Sequence, residues 1–147
     1  MAEKRFPLSV PIALVILLSV ANGVADYWHL YYIIWWLDIP MHVLGGSSVA
    51  FAALALYFRT KRARRGEETA LFVWLLAIAS ALTIGLGWEI YEYVIDRVVA
   101  AYGDQLGDTI KDLFDDLIGG MVAAWVFLRA GYLDAAAEGS RAREKML

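Results

Sequence analysis

The stretch that decides the fold is GDTIKDLFDDLIGG at residues 107–120, which places four aspartates in a largely apolar segment. At 3.6 residues per helical turn, Asp108, Asp112 and Asp115 fall within about 60° of one another, and Asp116 lies about 40° beyond Asp112. A charged side chain is costly in a bilayer, so in a membrane protein such residues face the interior of a helix bundle. The stretch therefore predicts a helix whose acidic stripe points towards other helices.

The composition is that of a membrane protein. The 147 residues are 61% hydrophobic, with a mean hydropathy of +0.55, which is too apolar for an ordinary soluble domain. The length suits one domain over residues 1–147. The chain has no cysteine, which excludes disulfides, thiolate metal sites and cysteine nucleophiles.

Apolar stretches of about 20 residues are long enough to cross a bilayer as helices. Four such spans occur, at about residues 7–25, 36–58, 69–93 and 109–130. The connections are short, which favours antiparallel neighbours. We therefore expect an all-α polytopic membrane protein, an antiparallel bundle of four transmembrane helices, with residues 131–147 as a cytoplasmic tail.

Basic residues indicate the orientation of the bundle. In the four-span arrangement eleven of them fall on one side: Lys4, Arg5, Arg59, Lys61, Arg62, Arg64, Arg65, Arg129, Arg141, Arg143 and Lys145. Only Arg97 and Lys111 fall on the other side. We expect both termini in the cytoplasm and a multi-pass protein of the bacterial inner membrane. The basic loop between two spans is then a topology signal, which predicts no nucleic-acid partner, and the first span is read as a retained helix, not a cleaved signal.

Two further polar pairs lie at span ends. Asp38 and His42 open the second span with a spacing of four, and Glu89 and Glu92 close the third with a spacing of three, so each pair shares a helix face. Because successive spans alternate in direction, both pairs and the aspartate stripe fall at one depth, on the extracytoplasmic side. Their meeting there is the central expectation.

Paired glycines lie about one helical turn deeper than these acids, at Gly45–Gly46 and Gly119–Gly120. Small residues let membrane helices approach closely. We expect the pairs to bring the polar stripes within bonding distance. The GLG at residues 85–87 is likewise read as helix-packing glycine and not as a phosphate loop.

Many carboxylates cannot ionise side by side without a counter-charge. Lys111 and Arg97 are the local cations, and they are too few. The site must be partly protonated, filled with water, or occupied by metal. Carboxylates and one imidazole on facing helices form a ligand set known from di-metal bundles.

Seven residues are therefore candidate metal ligands: Asp38, His42, Glu89, Glu92, Asp108, Asp112 and Asp116. An oxygen-rich set without thiolate suits one or two divalent ions of Mn, Fe, Mg, Ca or Zn. Other interpretations of these residues stay open. Glu89 and Glu92 fit an interfacial pair satisfied by water, Asp38 and His42 fit a helix-start acid and a core histidine, and Asp108 fits a helix cap.

The three motifs together resemble the YjdF-like family of small bacterial inner-membrane proteins and, more distantly, the VanZ-like family. The YjdF-like pattern is Asp-x-x-x-His, Trp-Glu-x-x-Glu, and Asp-Thr-x-x-Asp followed by glycine. Its positions here are Asp38 with His42, Trp88–Glu89 with Glu92, and Asp108–Thr109 with Asp112, then Gly119. The VanZ-like pattern has glutamine where Glu92 stands and asparagine where Asp116 stands. The resemblance, over about residues 35–120, implies a shared polar site and no particular reaction.

Three kinds of function fit the sequence. The first is a metal-dependent membrane enzyme acting on a lipid-linked or envelope substrate, with the metal as Lewis acid or activator of water. The second is a non-enzymatic protein for ion binding or transport, which would need a homo-oligomer because four helices leave little room for alternating access. The third is a small scaffold subunit of a membrane complex, whose acidic residues bind a basic partner protein on the outer face. Membrane lipids surround the chain in each case.

Overall fold

The computed structural model describes residues 6–59, 68–99 and 105–145. None of these residues lies in a β-strand, which confirms the all-α prediction for them. The helices are α1 (Ser9–Tyr27), α2 (Leu30–Ile33), α3 (Asp38–Arg59), α4 (Ala70–Val99), α5 (Gln105–Arg129) and α6 (Tyr132–Glu144). Gly131, with φ of +71°, separates α5 from α6, a backbone conformation that glycine adopts without strain at a helix end.

Three helices of the described residues are long and apolar enough to cross a membrane: Ser9–Tyr27, Asp38–Arg59 and Ala70–Ile95. Their ends lie close to those of the first three predicted spans. The fourth predicted span corresponds to α5, whose first half carries four aspartates and Lys111. The four-span count therefore stays a prediction. So does the cytoplasmic orientation, because Lys4, Arg5 and most of the basic loop lie outside the described residues.

The helices α3, α4 and α5 pack against one another, and α1 packs mainly against α3. The outer face of α1 is strongly exposed and apolar, as at Ile12, Val15 and Ile16. Such a face suits a lipid environment, in which apolar side chains need no burial by protein. The polar residues are thus carried by the three helices that form the centre of the bundle.

Glycines allow a very close contact between α3 and α5. A Cβ atom on Gly46 would lie 2.5 Å from the carbonyl oxygen of Asp116, and one on Gly119 would lie 2.7 Å from the amide nitrogen of Ser47. The Ser47 hydroxyl donates a hydrogen bond of 3.0 Å to the Gly119 carbonyl. The backbones of α3 and α5 therefore touch, as the glycine pairs predict. Gly45 differs, since it faces Leu18 of α1.

The core changes character along the bundle. Next to the glycines it is built from small buried residues: Ala50, Ala77, Ala81, Ala123 and Ala124. At the end away from the acids, aromatic rings pack against one another, stacked in one pair and tilted or edge-on in the others: Phe6, Phe51, Phe58, Phe127 and Tyr132. Arg59 closes this end by donating a hydrogen bond of 3.0 Å to the carbonyl of Phe6. Conventional hydrophobic packing is thus concentrated at the aromatic end.

Replacing Gly119 by alanine should destabilise the fold. Its Cβ would collide with backbone atoms of Val43 and Ser47, which cannot move aside without separating α3 from α5. We expect a loss of about 2 kcal/mol, typical of overpacking, seen as a lower unfolding midpoint in detergent. Gly87→Ala is the matched control, because a Cβ there meets nothing within 4 Å. Equal midpoints for the two variants would contradict the prediction.

Candidate metal centre

Three helices supply a cluster of ionisable side chains at one end of the bundle. The buried members are His42 of α3, Glu89 of α4, and three aspartates of α5: Asp112, Asp115 and Asp116. Asp38 and Glu92 are half-buried at its edge. Asp112 is only 1% exposed. The cluster is therefore held inside the bundle, as the inward-facing stripe predicts.

His42 lies at the centre of the cluster, between α3 and α5. Its Nε2 atom is 3.5 Å from Oδ1 of Asp38 and 3.8 Å from Oδ1 of Asp112. Its Nδ1 atom is 3.6 Å from Oδ2 of Asp116. Both ring nitrogens therefore face carboxylate oxygens at distances beyond a hydrogen bond.

Lys111 brings a positive charge to the edge of the cluster. Its Nζ atom lies 2.8 Å from Oδ2 of Asp38, 2.9 Å from Oδ1 of Asp112 and 3.1 Å from Oδ1 of Asp108. The Lys111 side chain is 40% exposed, whereas the Asp112 side chain is almost fully enclosed. The lysine thus reaches from the surface into the cluster and neutralises part of its negative charge.

Several buried carboxylate oxygens have no hydrogen-bond partner among the described residues: Oε1 of Glu89, Oδ2 of Asp115 and Oδ2 of Asp116. An unpaired ionised carboxylate inside a protein is unfavourable by several kcal/mol unless a cation or a proton offsets it. Lys111 contacts Asp38, Asp108 and Asp112 but not these three oxygens. This part of the cluster is therefore suited to an additional positive charge.

Two groups of side chains have the spacing of a metal site. One is Asp38, His42 and Asp112; the other is His42, Glu89 and Glu92, and in each group the ligand atoms lie within 4.8 Å of one another. Ligand atoms bound to one ion at about 2.0–2.4 Å satisfy the same limit. Each group combines carboxylate oxygens with the imidazole of His42.

A glycine of α4 makes room for Asp116. A Cβ atom on Gly85 would clash with the carboxylate of Asp116, at 2.8 Å from its Cγ atom. The carboxylate of Asp116 therefore lies against the backbone of α4 and beside His42. Gly85 is thus a packing glycine, as its sequence context predicts, and what packs on it is a member of the polar cluster.

Asp108 takes a different place from the other predicted ligands. Its side chain is 67% exposed and pairs with Lys111. Among the described residues it joins neither group with metal-site spacing, and neither does Asp116, which is nevertheless buried beside His42. The alternative interpretation of Asp108 as the helix cap is wrong, because α5 begins at Gln105 and Asp108 lies inside its first turn. A carboxylate there is favoured by the helix dipole.

Asp115 is part of the predicted acidic stripe but is not one of the seven candidate ligands, and Lys111 was predicted only as a local cation. Asp115 is 6% exposed and lies inside the bundle with Asp112, which is three residues away on the same helix face. Nothing in the sequence indicates that Lys111 contacts Asp38 of another helix, because this contact depends on the distance between α3 and α5.

Tyr31 borders the cluster from α2, the short helix between the first two spans. Burial and the nearby Asp38 carboxylate raise the pKa of Tyr31 to about 12. The phenol therefore stays protonated at neutral pH and donates a hydrogen bond to Oδ1 of Asn22. This hydrogen bond connects α2 to α1 near the N-terminus of α3.

Comparison with known proteins gives one finding. The family described as "Predicted membrane protein (DUF2238)" matches residues 2–132, a range that contains the whole cluster. The comparison with curated proteins and the comparison with solved structures each found no match.

Replacing Asp115 by asparagine should stabilise the protein in the presence of a chelator. The change removes a buried charge whose Oδ2 atom has no partner and keeps the shape of the side chain. We expect a gain of about 1 kcal/mol, or about 2–4 °C in the unfolding midpoint. Glu138→Gln, at an exposed site beyond the first turn of α6, is the control and should leave the midpoint unchanged. A lower midpoint for Asp115→Asn would show that its charge is already compensated.

Proposed function

Because the chain belongs to the family of predicted membrane proteins (DUF2238), we propose that it is an integral membrane protein that binds a divalent cation. The ion is held by His42, Glu89 and Glu92, with Asp116 beside them. The proposal includes a bundle of four spans in the bacterial inner membrane, with both termini cytoplasmic and the ion near the extracytoplasmic face. The resemblance to YjdF-like motifs supports a shared polar site of this kind.

One observation carries the proposal. The Oε1 atom of Glu89 is buried without a hydrogen-bond partner, and Glu89 lies with His42 and Glu92 at metal-site spacing. The glutamate is 6% exposed, so bulk water does not solvate it well. A bound cation would satisfy this oxygen and offset the repulsion from Glu92 and Asp116 at once.

The ligand chemistry defines the class of ion. The group offers carboxylate oxygens and one imidazole nitrogen, and the chain has no cysteine. Hard or borderline ions prefer such donors, which favours Mn²⁺ or Fe²⁺ and includes Mg²⁺, Ca²⁺ and Zn²⁺. Mn²⁺ is the practical probe because it is paramagnetic and accepts both oxygen and imidazole.

A bound divalent ion would supply Lewis acidity or an activated water molecule. We propose that this chemistry serves a metal-dependent reaction on a lipid-linked or envelope substrate. The exposed edge of the cluster at Asp108 and Lys111 supports access from outside the bundle. Buried carboxylates that the ion does not use, such as Asp115, are candidates for general acid or base.

Replacing Glu89 by glutamine should weaken Mn²⁺ binding by about tenfold or more, since it removes a charged ligand while keeping the side-chain shape. The measurement is a Mn²⁺ titration of purified protein followed by electron paramagnetic resonance. Glu138→Gln, at an exposed glutamate of α6, is the matched control. The proposal fails if the wild-type protein takes up no divalent ion, or if both variants bind it as the wild type does.

Replacing Gly85 by alanine should weaken Mn²⁺ binding with little effect on folding. The new methyl group displaces the carboxylate of Asp116, which can rotate away, whereas no backbone has to move. We expect an affinity about tenfold lower and an unfolding midpoint close to that of the wild type. Gly87→Ala on the same helix is the control. Unchanged affinity would remove Asp116 from the ion site.

A further inference from the structure

We propose that the Lys111 ammonium takes the place of a metal ion at Asp38 and Asp112 and so limits the cluster to a single divalent ion. The inference rests on the proposed ion site and concerns how many ions it holds. It starts from the two groups with metal-site spacing, which differ in one respect. The ammonium of Lys111 contacts Asp38 and Asp112 of the first group, whereas the second group contains the unpartnered oxygen of Glu89.

The contacts of Lys111 use the oxygen atoms that a metal would need. Its Nζ atom lies 2.8 Å from Oδ2 of Asp38 and 2.9 Å from Oδ1 of Asp112. It thus bridges α3 and α5 in the manner of a bound ion. A divalent cation at the same carboxylates would lie within a few ångströms of the ammonium and be repelled by it.

His42 adds a second reason for one ion. Both groups include its imidazole. A neutral imidazole has a single acceptor nitrogen, so a His42 side chain that ligates an ion beside Glu89 and Glu92 cannot ligate a second ion beside Asp38 and Asp112. The Lys111 ammonium then neutralises the carboxylates of Asp38 and Asp112. The cluster therefore holds two cations, and one of them is a side chain of the protein itself.

Lys111 can be replaced without opening a hole in the core. Its side chain is 40% exposed, and methionine keeps most of its apolar stem while removing the charge. Lys111→Met should therefore free Asp38 and Asp112 for a second ion. Lys111→Arg keeps the positive charge and serves as the matched control.

The experiment counts Mn²⁺ ions per chain in the purified full-length protein by elemental analysis and paramagnetic resonance. We expect one ion for the wild type, two for Lys111→Met and one for Lys111→Arg. The double variant Lys111→Met/Asp38→Asn should return to one, because it removes a ligand of the new site. Two Mn²⁺ ions held by neighbouring carboxylates of one cluster should also show spin coupling.

The outcomes separate this inference from the proposed function. One ion in both the wild type and Lys111→Met overturns the role of Lys111 and leaves the ion site standing. No ion in the wild type and one in Lys111→Met supports the blocking role and overturns binding by the native protein. No ion in any variant overturns both. If Lys111→Met does not give a helical, monodisperse protein, Lys111→Gln makes the same test with a polar side chain of similar length.

Discussion

The contact between the backbones of α3 and α5 is the constraint on which the rest of the structure depends. Because Gly46 and Gly119 have no side chains, the two helices touch and His42 comes within reach of Asp112 and Asp116. A wider crossing would leave the same carboxylates facing a gap that only water could fill. The polar cluster is thus a product of helix packing as much as of its own residues.

Stability and function are divided between the two ends of the bundle. The acidic end contributes little apolar burial and contains carboxylate oxygens without partners, so its favourable interactions depend on added positive charge. The opposite end is filled with aromatic rings in mutual contact, such as Phe6, Phe51 and Phe127. A fold can tolerate unsatisfied groups at one site when packing elsewhere is strong enough to hold their geometry.

The sequence predicted the three long apolar helices and the inward-facing polar residues because two simple rules govern them. Apolar runs of membrane length fix the spans, and the cost of charge in lipid turns Asp112 and Glu89 inward. Helical periodicity places Asp38 and His42 on one face. The structure brings each of these four residues into one of the groups with metal-site spacing.

The details that the sequence left open depend on how the helices are rotated and crossed. Helical periodicity puts Asp108 on the same face of α5 as Asp112, but the Asp108 side chain is exposed outside the bundle. The link from Lys111 to Asp38 joins residues 73 positions apart and exists only because α5 lies against α3. Likewise, the space that Gly85 leaves for Asp116 is a property of two helices and not of either one.

The packed aromatic rings bear on how an ion would reach the cluster. Rings fill the core at the end opposite the cluster, and small alanines close the section between them. Along the described helices, the cluster reaches the surface at Lys111 and Asp108, at the end away from these rings. An ion held at the proposed site would therefore enter and leave from that end of the bundle and respond to the ion concentration on that side of the membrane.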